Sequence, residues 1–118
     1  MDGHAFLRET AALIASGWCC GAEARNGSGA AVEADDPSAT AWSLRGALSV
    51  VAERPDAEVD ALRDAMWGIS GVIPDSELDG WNDAVGRTQA DTLQMLAQAR
   101  TSLAANPPPE RGWSAPTT

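Results

Sequence analysis

One short run in the last third of the chain brings together side chains well suited to binding. Trp81, Asn82 and Asp83 follow one another, and Arg87 and Thr88 come shortly after them. A guanidinium holds an anion with parallel hydrogen bonds, and an indole ring stacks on a cation or on another ring. If a helix begins near Thr88, these groups form a corner that binds an anion or an aromatic ring.

The same residues also suit a purely structural role, and the sequence leaves the two interpretations open. In the structural one, Asn82 and Asp83 hold a tight turn and Trp81 fills the core. Arg87 then pairs with the carboxylate of Asp83. Trp18 and Trp42 could likewise fill the core or form the wall of a pocket. The candidate binding residues are therefore Trp18, Trp42, Trp81, Asn82, Asp83 and Arg87.

Other motifs fall short of a metal or catalytic site. The acidic segment 75–80 matches the start of a calcium-binding loop, but Gly86 stands where the bidentate Glu is needed. Cys19 and Cys20 are adjacent, and His4 is the only histidine, so a zinc site lacks ligands. A helix about 22 Å long separates His4 from the two thiols, which favours buried structural cysteines. We predict no metal, no cofactor and no catalytic residue.

Hydrophobic periodicity predicts four helices that would position these groups. They span residues 4–16, 37–53, 57–69 and 89–104. Asp36 is expected to cap the second helix, with Pro37 in its first position. Thr88 is expected to cap the last helix, with Asp91 placed as in a capping box. Gly46, inside the second helix, indicates a close approach to another helix or to a Trp ring.

The segments between the helices are predicted to be irregular. Gly17 is expected to end the first helix in a left-handed cap. Residues 18–34 form a loop with a short hairpin around the Asn-Gly-Ser-Gly turn at 26–29. The fold class predicted is all-α, a compact bundle of about four helices with a short irregular or hairpin insertion after the first helix.

The domain prediction is a single helical domain over residues 1–105, followed by a Pro-rich tail over residues 106–118. Trp113 is the expected anchor of that tail. Helix faces rich in Ala, together with exposed Trp, favour a homodimer.

Composition excludes several classes of function. The formal net charge is -9, from Lys+Arg 8 and Asp+Glu 17. A surface this acidic argues against nucleic-acid binding and against anionic membranes. No apolar run is long enough to span a bilayer, and the acidic N-terminus does not match a signal peptide, so a cytoplasmic protein is expected. The chain has no Lys, which excludes a Schiff base and a phosphate-loop lysine.

Three stretches taken together resemble a known family. They are Gly17-Trp18-Cys19-Cys20-Gly21, Ala41-Trp42-Ser43-Leu44-Arg45-Gly46-Ala47-Leu48 and Trp81-Asn82-Asp83-Ala84-Val85-Gly86-Arg87-Thr88. In this order, over roughly residues 6–104, the chain is similar to small proteins of actinobacteria and their phages that have no established activity. The resemblance implies a grouping and no mechanism.

The function predicted is a small binding or interaction module. It would recognise a partner protein or a small aromatic or anionic molecule through a Trp-lined corner. The first alternative is a cofactor-independent enzyme of bacterial specialised metabolism, in which Asp83, Arg87 or His4 handles protons or charge in the same pocket. The second is an acidic, phage-associated protein that inhibits a host factor.

Overall fold

A computed structural model describes residues 1–74 and 77–109 of the chain. Within these residues, five helices and three short strands follow one another. The elements are α1 (Gly3–Ser16), β1 (Ala24–Asn26), β2 (Ala31–Val32), β3 (Ala39–Trp42), α2 (Leu44–Ala52), α3 (Val59–Ser70), α4 (Leu78–Asn82) and α5 (Gln89–Ala105). Trp113, the expected anchor of the tail, lies outside the described residues.

The all-α prediction is wrong, because the chain folds as a mixed α/β protein. Its three strands form one antiparallel sheet in the order β2-β1-β3. The hairpin predicted after the first helix is confirmed as β1 and β2. Its turn is held by Asn26, whose Oδ1 accepts the backbone N–H groups of Ser28 and Ala30 at 3.0 Å each. A helical bundle therefore describes only part of the molecule.

The third strand occupies the segment that was expected to begin the second helix. The side chain of Asp36 accepts the N–H of Ser38 at 2.8 Å, and its carbonyl accepts the N–H of Ala39 at 2.9 Å. Asp36 therefore holds a tight turn, and the chain leaves that turn as β3. An Asp side chain can cap a helix or close a turn with the same hydrogen bonds, which is why the prediction that Asp36 caps the second helix was wrong.

The second helix instead begins at Leu44 and is capped by Ser43, whose Oγ accepts the N–H of Gly46 at 3.0 Å. The close approach predicted at Gly46 is present, although the neighbour is neither a helix nor a Trp ring. A Cβ placed on Gly46 would lie 2.1 Å from the carbonyl oxygen of Glu23. The missing side chain thus lets α2 pack directly on the backbone that enters β1.

The core lies between the helices. α1, α3 and α5 pack against one another, and α2 packs against α1 and α4. The large apolar side chains with no exposed surface include Phe6, Leu7, Ile14, Leu44, Ile69 and Leu96. No helix in the described ranges is both long and apolar enough to cross a bilayer.

Candidate functional site

Asn82, the last residue of α4, joins three parts of the fold. Its side chain is buried, with 1% of the residue exposed. Its Oδ1 accepts the indole N–H of Trp18 at 2.8 Å and the backbone N–H of Leu44 at 3.0 Å. Its Nδ2 donates to the carbonyl of Cys19 at 3.2 Å and to Asp83 Oδ1 at 2.9 Å. Every hydrogen-bonding position of this amide is therefore used inside the protein, and none remains for a ligand.

Trp18 reaches Asn82 because the chain after α1 stays close to β3. α1 ends at Ser16 as predicted, but Gly17 is extended, with φ 176°, rather than left-handed. Its carbonyl accepts the N–H of Trp42 at 3.0 Å. A Cβ on Gly17 would lie 2.1 Å from the carbonyl oxygen of Thr40, so glycine is required by contact rather than by a helix cap.

The indole N–H of Trp42 has a different partner from that of Trp18. Its indole N–H donates to the carbonyl of Ala34 at 3.0 Å. The backbones of Trp18 and Trp42 are paired by an isolated parallel bridge. Their indole groups nevertheless serve different parts of the fold, and neither residue lines the recess beside Arg87.

Asp83 supports the loop that follows Trp18. Its Oδ1 accepts the N–H of Gly21 at 3.0 Å as well as the amide of Asn82. The ion pair between Arg87 and Asp83 that the structural interpretation proposed is absent from the part of the chain described. Asp83 lines a different recess from Arg87, together with Arg45 and other residues.

Arg87 is held on Trp81 by two contacts. The centre of the guanidinium lies 3.8 Å from the centroid of the indole ring, in a cation–π contact. The Nε of Arg87 also donates to the carbonyl of Trp81 at 2.7 Å. Across residues 1–74 and 77–109, its terminal Nη atoms have no hydrogen-bond partner. The side chain is therefore fixed in place while its strongest donors remain open.

The loop that holds Arg87 shares one backbone hydrogen bond with the loop between α2 and α3. Between α4 and α5, the N–H of Arg87 donates to the carbonyl of Ala84 at 2.9 Å. Between α2 and α3, the N–H of Ala57 donates in the same way to the carbonyl of Arg54 at 3.0 Å. Gly86 has φ 83°, a left-handed conformation that favours glycine. No residue of the α2–α3 loop has such a conformation, so the two loops share this hydrogen bond but differ in backbone conformation as well as in the guanidinium.

Beside this stack lies an open recess of about 240 Å³, which we name the Trp81–Arg87 cleft. Its lining residues come from one stripe of α5, from the segment that follows α3 and from the Trp81–Arg87 stack. It is lined by Val72, Ile73, Trp81, Arg87, Asp91, Gln94, Met95 and Gln98. Only Trp81 and Arg87 of the six sequence candidates belong to it.

Asp91 also lines the cleft, although its position in the sequence indicated only a role in capping α5. The predicted capping box is present, with Asp91 Oδ2 accepting the N–H of Thr88 and Thr88 Oγ1 accepting the N–H of Asp91, each at 3.1 Å. The cleft residues of α5 follow the spacing i, i+3, i+4 and i+7. That spacing is visible in the sequence, but it does not show that Ile73 and Trp81 lie opposite it.

The two cysteines have different surroundings. Cys19 is buried, as predicted, whereas the expectation of a buried thiol is wrong for Cys20, which is exposed. Burial raises the pKa of the Cys19 thiol, because charge is disfavoured away from water. The described residues contain no group of three or more His, Cys, Asp or Glu side chains that could hold a metal ion.

We expect iodoacetamide at pH 8 to label Cys20 at least about ten times faster than Cys19 in the folded protein. The thiolate is the reactive form, and Cys19 is both shielded and held protonated. Peptide mass spectrometry over a time course measures the two rates, and denaturant should bring them together. Equal rates in the folded protein would contradict this description of Cys19.

The protein is therefore a small mixed α/β protein with an open recess of about 240 Å³ beside an arginine that stacks on a tryptophan ring. The chain belongs to the Family of unknown function (DUF6197), whose family model matches residues 3–102. This confirms the grouping with a family that has no established activity. No curated protein and no solved structure matches the chain.

Proposed function

We propose that this protein is a small binding module that recognises a small molecule bearing an aromatic or anionic group in the Trp81–Arg87 cleft. The observation that carries the proposal is the state of Arg87. Its Nε and its ring-facing surface are engaged by Trp81, and its Nη donors have no partner among the described residues. A guanidinium fixed in this way forms a charge-assisted pair with a ligand without first losing side-chain freedom.

The apolar lining supplies the other half of the recognition. Val72 is only partly buried and offers apolar surface to the cleft, whereas Ile73 and Met95 are almost completely buried and contribute little. The ring of Trp81 adds an aromatic wall. Four lining side chains of this cleft are apolar and four are polar, so recognition there depends on polar contacts as much as on apolar ones.

The positions of the titratable candidates favour binding over the enzyme alternative. His4, Asp83 and Arg87 were the residues expected to handle protons or charge in one pocket. They line three different recesses of the described surface. A reaction that needs two of them at one reacting atom is therefore harder to assemble than a binding contact that needs Arg87 alone.

A partner protein is the second candidate, and one observation favours it. Val85, two residues before Arg87, is fully exposed at the tip of the α4–α5 loop. An exposed apolar side chain in the same loop as Arg87 adds contact area when a second protein covers that loop. We also propose that the protein works in the bacterial cytoplasm, in keeping with its resemblance to actinobacterial and phage proteins.

Replacing Arg87 with alanine is expected to weaken ligand binding at least about tenfold, which corresponds to about 1.4 kcal/mol. The test is a Trp fluorescence titration excited at long wavelength, with 3-phenylpropionate and L-leucine as probes. Ligands with about a dozen non-hydrogen atoms reach about 4 kcal/mol at ordinary efficiency, so titrations should extend to about 10 mM.

The matched control for this test is Arg63→Ala. Arg63 is an exposed arginine of α3, paired loosely with Asp60 at 3.8 Å, and it does not line the cleft. Arg87→Lys keeps the charge but loses the planar fork, so it should bind with intermediate strength. An Arg87→Ala protein that binds as tightly as wild type would remove Arg87 from the site. No response to any probe would end the small-molecule proposal.

A further inference from the structure

The Trp81–Arg87 cleft contains one cation and one anion that do not pair with each other. Arg87 and Asp91 both line it, yet no ion pair joins them in the described part of the chain. Opposite charges attract, so we expect two such side chains in one recess to form an ion pair unless other contacts hold them apart. Here other contacts hold each charged group, so both remain available to a ligand.

The reason for their separation is visible in the contacts. Arg87 is fixed by its stack on Trp81 and by its Nε hydrogen bond to the Trp81 carbonyl. Asp91 is fixed by the capping box with Thr88, which uses its Oδ2. The Nη atoms of Arg87 and the Oδ1 of Asp91 therefore remain without partners among the described residues.

We infer that the occupant of the Trp81–Arg87 cleft is a free α-amino acid with an apolar side chain, bound as a zwitterion; the inference rests on the binding function proposed above. Its carboxylate would pair with the Arg87 Nη atoms and its ammonium with Asp91 Oδ1. Its side chain would lie against Val72 and Trp81, the apolar lining residues that are only partly buried.

The size of the recess supports this class of ligand. Its volume, about 240 Å³, falls below the roughly 300–1,000 Å³ of pockets that hold drug-sized molecules. A single amino acid fits within this volume, whereas a nucleotide or a larger metabolite would extend out of the recess into solvent. The amide side chains of Gln94 and Gln98, one helical turn apart on α5, can both donate to and accept from its polar groups.

Charge balance distinguishes the zwitterion from simpler ligands. A carboxylate alone would pair with Arg87 but would lie near the unneutralised charge of Asp91. An amine alone would satisfy Asp91 and face Arg87. A zwitterion satisfies both, and its zero net charge avoids repulsion by a protein of formal net charge -9.

The test compares three matched probes on the wild-type protein by isothermal titration calorimetry. They are L-phenylalanine, 3-phenylpropionate, which lacks the ammonium, and phenethylamine, which lacks the carboxylate. L-Phenylalanine should bind at least about tenfold more tightly than either of the others. Because this comparison uses the unaltered protein, it does not depend on whether a variant folds.

Asp91→Asn supplies the second arm of the experiment. An Asn at this position can still accept the N–H of Thr88, so the cap is kept while the charge is lost. L-Phenylalanine should then bind about fivefold more weakly or worse, while 3-phenylpropionate binds as well as before or better. Asp56→Asn, in the corresponding loop between α2 and α3, is the matched control and should change neither affinity.

The outcomes separate this inference from the function on which it rests. If 3-phenylpropionate binds wild type as tightly as L-phenylalanine and Asp91→Asn changes neither, the zwitterion is wrong but the binding cleft stands. Preferential binding of phenethylamine would likewise overturn the assignment. If none of the three binds, both the zwitterion and the small-molecule cleft are wrong.

Discussion

Replacing Asn82 with alanine is expected to lower the free energy of unfolding by about 4 kcal/mol. The alanine would leave the indole N–H of Trp18, the backbone N–H of Leu44 and the carbonyl of Cys19 without their partner. Each stranded buried group costs about 1–3 kcal/mol. Domains of this size are stable by roughly 5–15 kcal/mol, so this one substitution removes a large share of the total.

Urea denaturation followed by circular dichroism measures this effect. Asn106→Ala is the matched control, because Asn106 is exposed and the side chain has no hydrogen bond in the described part of the protein. The control should change stability by no more than about 0.5 kcal/mol. An Asn82→Ala protein less than about 1 kcal/mol below wild type would show that the hydrogen bonds of Asn82 do not hold the three segments together.

Replacing Gly46 with alanine is expected to destabilise the protein by about 3 kcal/mol, although alanine is the better helix former. In an open helix the same change stabilises by up to about 1 kcal/mol. Here the new Cβ would lie 2.1 Å from the Glu23 carbonyl oxygen, which belongs to backbone and cannot swing aside. The helix or the sheet must therefore shift, and the Ser43 cap would be disturbed with it.

Gly80→Ala is the matched control for this prediction. Gly80 also lies within a helix, but a Cβ there would meet only the end of the Glu77 side chain, at 3.4 Å. It should leave stability unchanged or raise it slightly. Thermal unfolding of the two variants side by side makes the comparison. Equal stability of Gly46→Ala and wild type would contradict the packing of α2 on the chain before β1.

The parts of the fold that depend on local sequence were predictable. The long periodic segments 57–69 and 89–104 are helices close to the expected ranges, and the turn at 26–29 makes a hairpin. These signals come from residues that lie near one another along the chain. Thr88 and Asp91 form the expected capping box for the same reason.

The third strand was not predictable from its own residues. The segment 39–42 has no strong strand pattern, and an Asp-Pro pair before it is typical of a helix start. What makes it a strand is pairing with β1, far away in sequence, and the contact of Gly17 with Thr40. Long-range pairing of this kind leaves little trace in a single sequence.

The candidate site was predicted in part. The sequence indicated the stretch from Trp81 to Arg87, but the structure gives its members different roles. Asn82 and Asp83 are used within the protein, whereas Arg87 lies against Trp81 and lines the cleft. The contribution of Asp91 depends on how α5 packs against the segment that follows α3, which no local pattern specifies.

The most direct test of the Trp81–Arg87 cleft is a nitrogen-15 NMR titration that follows the indole N–H resonances. Three of them are internal references, because Trp18, Trp42 and Trp67 donate to Asn82, Ala34 and Asn106 within the fold. With L-phenylalanine added to about 10 mM, the Trp81 resonance should shift and saturate while those three stay in place. If the Trp81 resonance does not move, or if all four move together without saturating, the cleft is not a binding site.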